Sequence, residues 1–234
     1  MPGDVSIILL AGGNGSRFNS KVPKQFLPLG GQPIVHYSYR LFVRCPEAAE
    51  IIVVCAPEYQ ELFHTMPAPV PLQFALPGKR RQDSLRNGLE AVQAQSKWIC
   101  VHDSARPFIT KPLLNRLFSA ARKHGAATAG LPVKSTIKQA DADHLVCQTP
   151  DRSSLWEIQT PQIIRTDWLK EGFAHIDKHQ LTVTDDVSIV EKLELPVKIV
   201  KGEEGNVKIT TQQDFFLAEN MLENQQKNIQ WLDR

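Results

Sequence analysis

Gly12, Gly13 and Gly15, followed by Arg17 and then Lys24, are the first residues along the chain whose types and spacing could do chemistry. Without a Cβ, glycine backbone can take positive φ and bring N–H groups close to an anion. Arg17 adds a permanent, forked charge, and Lys24 a compact charge on a flexible stem. Pro23 holds Val22 extended, so Lys24 stands on a stiffened segment. Such a set can cradle a phosphate chain between amides and two movable cations.

Two common glycine loops are excluded by what is missing. The dinucleotide fingerprint needs a third glycine where Phe18 stands, and an acidic residue about 20 positions on, where Val35 and His36 stand. The P-loop needs Gly-Lys followed by Ser or Thr, but Gly15 is followed by Ser16 and Arg17.

Four later segments carry further polar groups. Gly78-Lys-Arg-Arg-Gln-Asp-Ser84 opens a helix whose Leu85, Leu89 and Val92 repeat at helical spacing. Gly78 and the first helical amides could face a nucleotide, and the Ser84 hydroxyl a base or sugar edge, although alone it reads equally as a helix-start residue. Asp103 ends the strand pattern Trp98–Asp103 and is followed by Arg106. Ligands of open α/β sheets bind at the carboxyl ends of strands, so Asp103 can take a sugar hydroxyl or a metal's water and Arg106 can grip phosphate. The alternative is an Asp103–Arg106 surface pair. Within residues 151–162, Arg152 and Thr160 offer a cation and a hydroxyl, while Trp156 reads as packing. Lys208 adds a cation in Asn206-Val-Lys-Ile-Thr210. Thr184-Asp-Asp186 reads as an N-cap opening a helix through Val190 and Leu193, and capping accounts for it.

The elements that must hold these residues alternate at short spacing. Strands are expected at Val5–Leu10, Ile51–Cys55, Leu72–Leu76, Trp98–Asp103, Ala126–Val133 and Val197–Val200. Helices are expected at Ile34–Val43, near Glu58–His64, around Leu113–Ala121, and at Trp168–Ile176 and Gln213–Leu222. This pattern predicts right-handed βαβ units in a Rossmann-like three-layer α/β/α fold with a mostly parallel central sheet. From Lys134 it changes: Lys134–Lys138 and His144–Thr149 flank the turn-prone Gln139–Asp143 as a β-hairpin. An isolated hairpin is marginally stable, so this one is expected to be an arm docking on a second subunit. The expectation is one domain over 1–234 with a β-arm at about 134–152 used in dimerisation.

With 42% hydrophobic and 22% charged residues, the chain is an ordinary globular protein. Its formal charge of +2 gives no global field for nucleic acid, and the one compact basic run, Lys79-Arg80-Arg81, reads as local site chemistry or a solvated face. With no apolar run of transmembrane length and no charged leader before the first strand, the expectation is a cytoplasmic protein without membrane partners. Cys45, Cys55, Cys100 and Cys147 are scattered, with no Cys-x-x-Cys pair, and are expected to be free thiols rather than metal ligands.

The loop Leu-Ala-Gly-Gly-x-Gly-Ser-Arg-Phe with Pro-Lys-Gln-Phe-Leu resembles that of nucleotidyltransferases that join a nucleoside triphosphate to a phosphorylated sugar or polyol. Taken with Gly78–Ser84, His102–Pro107, Arg152–Gln162 and Asn206–Thr210, the chain resembles the family of 2-C-methyl-D-erythritol 4-phosphate cytidylyltransferases over nearly its whole length. The resemblance implies that Arg17, Lys24 and Lys208 are catalytic cations. It implies that Ala11, Gly12, Gly13, Gly15, Gly78, Ser84 and Asp103 hold CTP. Asp103, Arg106, Thr136, Arg152, Thr160 and Lys208 would surround the methylerythritol phosphate, with Thr136 and Arg152 supplied by the arm of a neighbouring subunit. It also implies a homodimer, and Mg²⁺ held mainly by the CTP phosphates rather than by protein ligands. Three positions depart from the family pattern: Gly12 stands where many members have Ala, and Pro77 and Lys79 replace a Gly and an acidic residue. Ala-Gly-Gly is also typical of ribitol-5-phosphate cytidylyltransferases, the alternative enzyme. A hexose-phosphate nucleotidyltransferase is a further rival, and a catalytically silent nucleotide-binding regulator is the alternative from another class.

Overall fold

An apolar run with almost no polar interruption suits a strand covered on both faces, and Val5–Leu10 forms such a strand, β1, buried from Val5 to Leu9. The computed structural model describes residues 3–13, 18 and 22–232, with side chains up to residue 224. Along it follow β2 (Pro28–Leu29), β3 (Gln32–Pro33), α1 (Ile34–Val43), β4 (Ala48–Val54), α2 (Glu61–His64), β5 (Leu72–Ala75), α3 (Arg81–Glu90), β6 (Trp98–Asp103), α4 (Lys111–His124) and β7 (Ala126–Pro132). Then come β8 (Gln139–Ala140), β9 (Val146–Gln148), β10 (Trp156–Arg165), α5 (Thr166–Lys178), α6 (Val187–Glu191), β11 (Lys198–Lys201) and α7 (Gln212–Leu232).

Seven strands form one sheet in the order β11-β7-β10-β6-β1-β4-β5. All neighbours pair in parallel except β10, which runs antiparallel to both β6 and β7. Side chains alternate between the faces of each strand. Ile7, Leu9, Ile51 and Val53 therefore pack with Tyr39, Phe42 and Leu117 from α1 and α4, while Ile8, Ile52 and Val54 pack with Leu85, Phe173 and Val187 from α3, α5 and α6. Each fully buried residue of this kind contributes about 1.5–3 kcal/mol. The result is the expected three-layer, mostly parallel architecture. Strand order reverses between β1 and β6, the topological switch point at which such sheets bind ligands.

The ten-residue β10 is absent from the sequence expectation because Pro161 and the polar residues around it argue against a central strand. Pro161 sits where the β7 register shifts, between Gln159 and Gln162, an irregularity that accommodates a residue with no N–H. The hairpin forms, but its turn lies later than expected. Gln139 and Ala140 are paired strand residues, and Asp141 makes the turn by accepting the amides of Asp143 and Leu145 at 3.0 and 2.9 Å. Residues 134–149 are exposed throughout. All four cysteines are free thiols. No helix among the described residues is long and apolar enough to cross a membrane.

Candidate active site

The glycine loop leaves the carboxyl end of β1 at Ala11, whose amide bonds to the Val54 carbonyl at 2.9 Å. Gln25, which sequence reasoning overlooked, fastens the loop: its buried amide donates to the carbonyls of Ala11 at 2.6 Å and Gly13 at 3.0 Å. This puts Lys24, beside Gln25, on the same cleft as Gly12 and Gly13. Gly15 and Arg17 lie outside the described residues.

The two departures at positions 12 and 77 touch each other. A Cβ built on Gly12 would lie 2.2 Å from the Cβ of Pro77, well inside contact distance. Gly12→Ala is therefore expected to push the loop off its position and raise the KM for CTP at least tenfold. Pro77→Gly in the same chain should restore it, by removing the obstructing ring. A single Gly12→Ala variant with unchanged KM would show that loop and Pro77 segment move apart freely.

Across the switch point, Asp103 ends β6 and accepts from two cations: Arg81 at 2.8 Å and Lys208 at 2.6 Å. Arg81 belongs to the first turn of α3, and its other face pairs with Asp186, which is 1% exposed just before α6. Burial alone would raise the Asp103 carboxyl, but Arg81 and Lys208 outweigh it and hold it well below the usual carboxylate range. At Asp186 burial dominates over the opposing Arg81, and that carboxyl is pushed up. Burial disfavours the Arg81 charge, yet its two carboxylates more than compensate and keep it a cation.

Lys208 comes from a segment with no regular structure, so its place rests on specific bonds. Ile209 donates to the Ala105 carbonyl at 2.9 Å, Arg106 donates to the Asn206 carbonyl at 2.8 Å, and the Asn206 side chain donates to the Thr160 carbonyl at 2.8 Å. Arg106, expected as a phosphate grip or surface partner of Asp103, is buried and spends its terminal nitrogens on the carbonyls of Asn206 and Ile158. Thr160 is buried beneath the cleft, where its hydroxyl accepts the Asp103 amide at 3.0 Å. It also meets His102 Nδ1 at 3.1 Å, and His102 Nε2 reaches the Arg106 carbonyl at 3.0 Å.

A neutral His102 satisfies every member of that chain, with Nε2–H donating to the Arg106 carbonyl and Nδ1 accepting from the Thr160 hydroxyl. Burial lowers its pKa from 6.5 to about 4. Between those values the unfolded chain binds the proton that the folded one refuses, so stability falls as pH drops from 6.5 towards 4. At ~1.4 kcal/mol per pKa unit the loss is on the order of 3 kcal/mol. Urea unfolding across that window should show it, and His102→Gln should lack that part of the slope; an identical slope would remove His102 from the network.

The cleft so formed measures about 310 Å³, within the range of small-molecule sites. Lys24, Lys79, Arg80, Arg81 and Lys208 line it, against the single carboxylate of Asp103. The basic run at 79–81 is thus site chemistry. Gly78 and Ser84 also line it, with the Ser84 hydroxyl accepting the Gly78 amide at 3.0 Å. Thr136 and Arg152 are exposed on the arm and its base, and neither lines this cleft; Arg152 donates to the Lys134 carbonyl at 2.8 Å.

Capping accounts for only part of Thr184–Asp186. Asp185 makes the cap, accepting from the Ser188 amide at 3.1 Å, while Asp186 turns inward to Arg81. The Asp186 and Val187 amides both donate to the Gln162 side chain at 2.9 Å, so β10 fixes this corner too. The pairing of Arg81 with Asp186 is not legible in the sequence, because no local pattern distinguishes such a pair from a solvated cation and a cap. Among the described residues no group of three or more His, Cys, Asp or Glu could hold a metal ion. With Asp103 already holding two cations, the cleft suits a divalent ion arriving on a polyphosphate better than a resident one.

Comparison with known proteins gives one consistent answer. The sequence profile of the 2-C-methyl-D-erythritol 4-phosphate cytidylyltransferase family matches residues 5–224. The chain is 46% identical over 220 residues to the chloroplastic 2-C-methyl-D-erythritol 4-phosphate cytidylyltransferase of Oryza sativa subsp. japonica, covering 93% of this chain and 74% of that protein. It is 42% identical over 217 residues to the enzyme of the same name from Chlamydia pneumoniae, covering 93% and 98%. Among solved structures, 4-diphosphocytidyl-2C-methyl-D-erythritol synthase from Anaerococcus prevotii superposes with a TM-score of 0.83 at 28% identity, covering 95% of this chain and all of that one. The 2-C-methyl-D-erythritol 4-phosphate cytidylyltransferase of Thermus thermophilus does so at 0.76 and 32% identity, covering 93% and 98%.

Proposed function

We propose, from the premise that this chain belongs to the 2-C-methyl-D-erythritol 4-phosphate cytidylyltransferase family, that the cleft between β1 and β6 is where its reaction takes place. The enzyme transfers CMP from CTP to 2-C-methyl-D-erythritol 4-phosphate, giving 4-diphosphocytidyl-2-C-methyl-D-erythritol and pyrophosphate in isoprenoid biosynthesis. A phosphate oxygen of the acceptor forms the new bond to the α-phosphorus of CTP, and the bond from that phosphorus to the bridging oxygen breaks. The attacking phosphate is already ionised, so no general base is required. The barrier lies in bringing two anions together and holding the charge of the crowded transition state.

In this reading Lys24, with Arg17, neutralises the triphosphate, and Lys208 meets the charge gathering between donor and acceptor phosphates. Asp103 orients Lys208 and Arg81 and can receive a polyol hydroxyl on its remaining lone pairs. Gly12, Gly78 and Ser84 form the cytidine side, over Ala11. Arg106 and Thr160 act from below, holding the Lys208 segment and Asp103. Mg²⁺ bound to the CTP phosphates would add further neutralising charge. What carries the assignment is that Lys24 and Lys208, from opposite ends of the chain, line one cleft with Asp103 between β1 and β6.

Thr136 and Arg152 then belong to the cleft of a second subunit, with the arm as the dimer contact. Support comes from Leu145 and Val146, 66% and 60% exposed on the hairpin, where an unpartnered apolar tip is costly. Mixing Lys24→Ala with Arg152→Ala tests this. Mixed dimers would have one intact site in two, so random reassortment should return about a quarter of wild-type turnover from two inactive proteins. No recovery, or a monomer by light scattering, would sink the trans arrangement.

A further inference from the structure

At the opposite end of the sheet, where β6 and β10 meet around Trp98 and Arg165, the surface opens into a second, broader depression of about 750 Å³. The transfer reaction makes no use of it: Trp98 and Asp103 stand at opposite ends of the six-residue β6, so it lies roughly 16–17 Å from the cleft.

Its walls are strongly cationic. Lys97, Arg122, Lys123, Arg165 and Lys170 line it, against only Asp167. The whole chain carries a formal charge of just +2, so positive charge is concentrated here against its own repulsion. Arg165 is paired with Asp167, and Arg122 with Asp4 at 3.1 Å. Lys97, Lys123 and Lys170, all exposed, make no ion pair among the described residues. The floor is rigid. Arg165 donates its amide to the Gly125 carbonyl at 3.0 Å, and Thr166 bonds to the carbonyls of Lys97 at 3.0 Å and Ser96 at 2.8 Å. The Trp168 ring packs on Gly125, with the Arg165 guanidinium 5.1 Å above it.

Concavity, aromatic walls and three lysines without carboxylate partners together suit a small, multiply charged anion rather than an extended polymer, which would need a continuous basic track. We propose that this cavity is a second binding site for a phosphorylated small molecule carrying a di- or triphosphate, independent of the transfer cleft.

Inorganic triphosphate is the probe, since it has no base or sugar to favour the cleft. Calorimetric titration of the intact protein should give two equivalents per chain. The charge-reversed variant Lys97→Glu/Lys170→Glu should bind one, its second-site affinity falling at least tenfold, while CTP turnover stays at the wild-type rate and reports that the fold is intact. Should that variant misfold, Lys123→Gln, at an exposed position, should weaken the second equivalent alone. A single equivalent in the wild type, or a second equivalent indifferent to these substitutions, would overturn the proposal without touching the transfer reaction.

Discussion

Lys208→Ala is expected to lower kcat for CMP transfer by 10²–10³, about 2.7–4 kcal/mol, the scale of removing one preorganised donor from a developing oxyanion. The physical reason is twofold. The ammonium is removed from a cleft in which two phosphates must approach, and Asp103 loses its 2.6 Å partner, so its negative charge faces the substrates less compensated. The fold should survive, because the Lys208 side chain is 38% exposed and the segment is held by backbone and Asn206 bonds that the substitution leaves alone. Pyrophosphate release at saturating CTP and acceptor measures the effect. Turnover near the wild-type value would take Lys208 out of the mechanism, and with it the joining of the two ends of the chain at one site.

Arg81→Ala should act first on stability. Asp186 is 1% exposed, and Arg81 is its ion-pair partner, so truncating the guanidinium leaves a buried carboxylate alone. Breaking a buried pair from one side costs about 3–5 kcal/mol. Replacing both members by apolar residues, as in Arg81→Met/Asp186→Leu, should recover most of that, since no lone charge remains buried. It should not recover activity, because Asp103 would still lack the Arg81 bond at 2.8 Å that orients it towards Lys208. Urea unfolding and turnover on the same three proteins separate the two roles. If Arg81→Ala unfolds within about 1 kcal/mol of wild type, Asp186 does not depend on that pair; if the double variant is fully active, Arg81 does not position Asp103.

The contrast between Lys208 and Arg81 shows what local pattern could reveal. Lys208 was singled out because a short motif in a loop resembles a known one; Arg81 sits in an equally distinctive stretch, yet nothing nearby says that its charge is directed at a carboxylate 105 positions away. Asp186 was read as a cap for the same reason. A Thr-Asp-Asp run before an apolar helix has a sufficient local explanation, and only the folded chain shows that Asp185 does the capping while its neighbour faces inward. Arg106 and Thr160 show what a short motif leaves out: both are buried beside the cleft and bond to protein carbonyls and to the Asp103 amide, contacts that no local pattern announces.

By itself, the order of residues determined the strands and helices flanking the glycine loop and the exclusion of the two commoner nucleotide motifs, and it carried the expectation that the loop handles phosphate. Those features follow from hydrophobic period, glycine sterics and proline restriction, which act over a few residues. Tertiary structure alone decided that β10 enters the sheet antiparallel despite Pro161, that Gly12 is required by Pro77, and that Arg81, Asp103, Asp186 and Lys208 form one linked set of charges. The physical reason is that a charged side chain takes its role from the dielectric and the partner it is folded against, and residues about a hundred positions apart become partners only once the sheet brings them together.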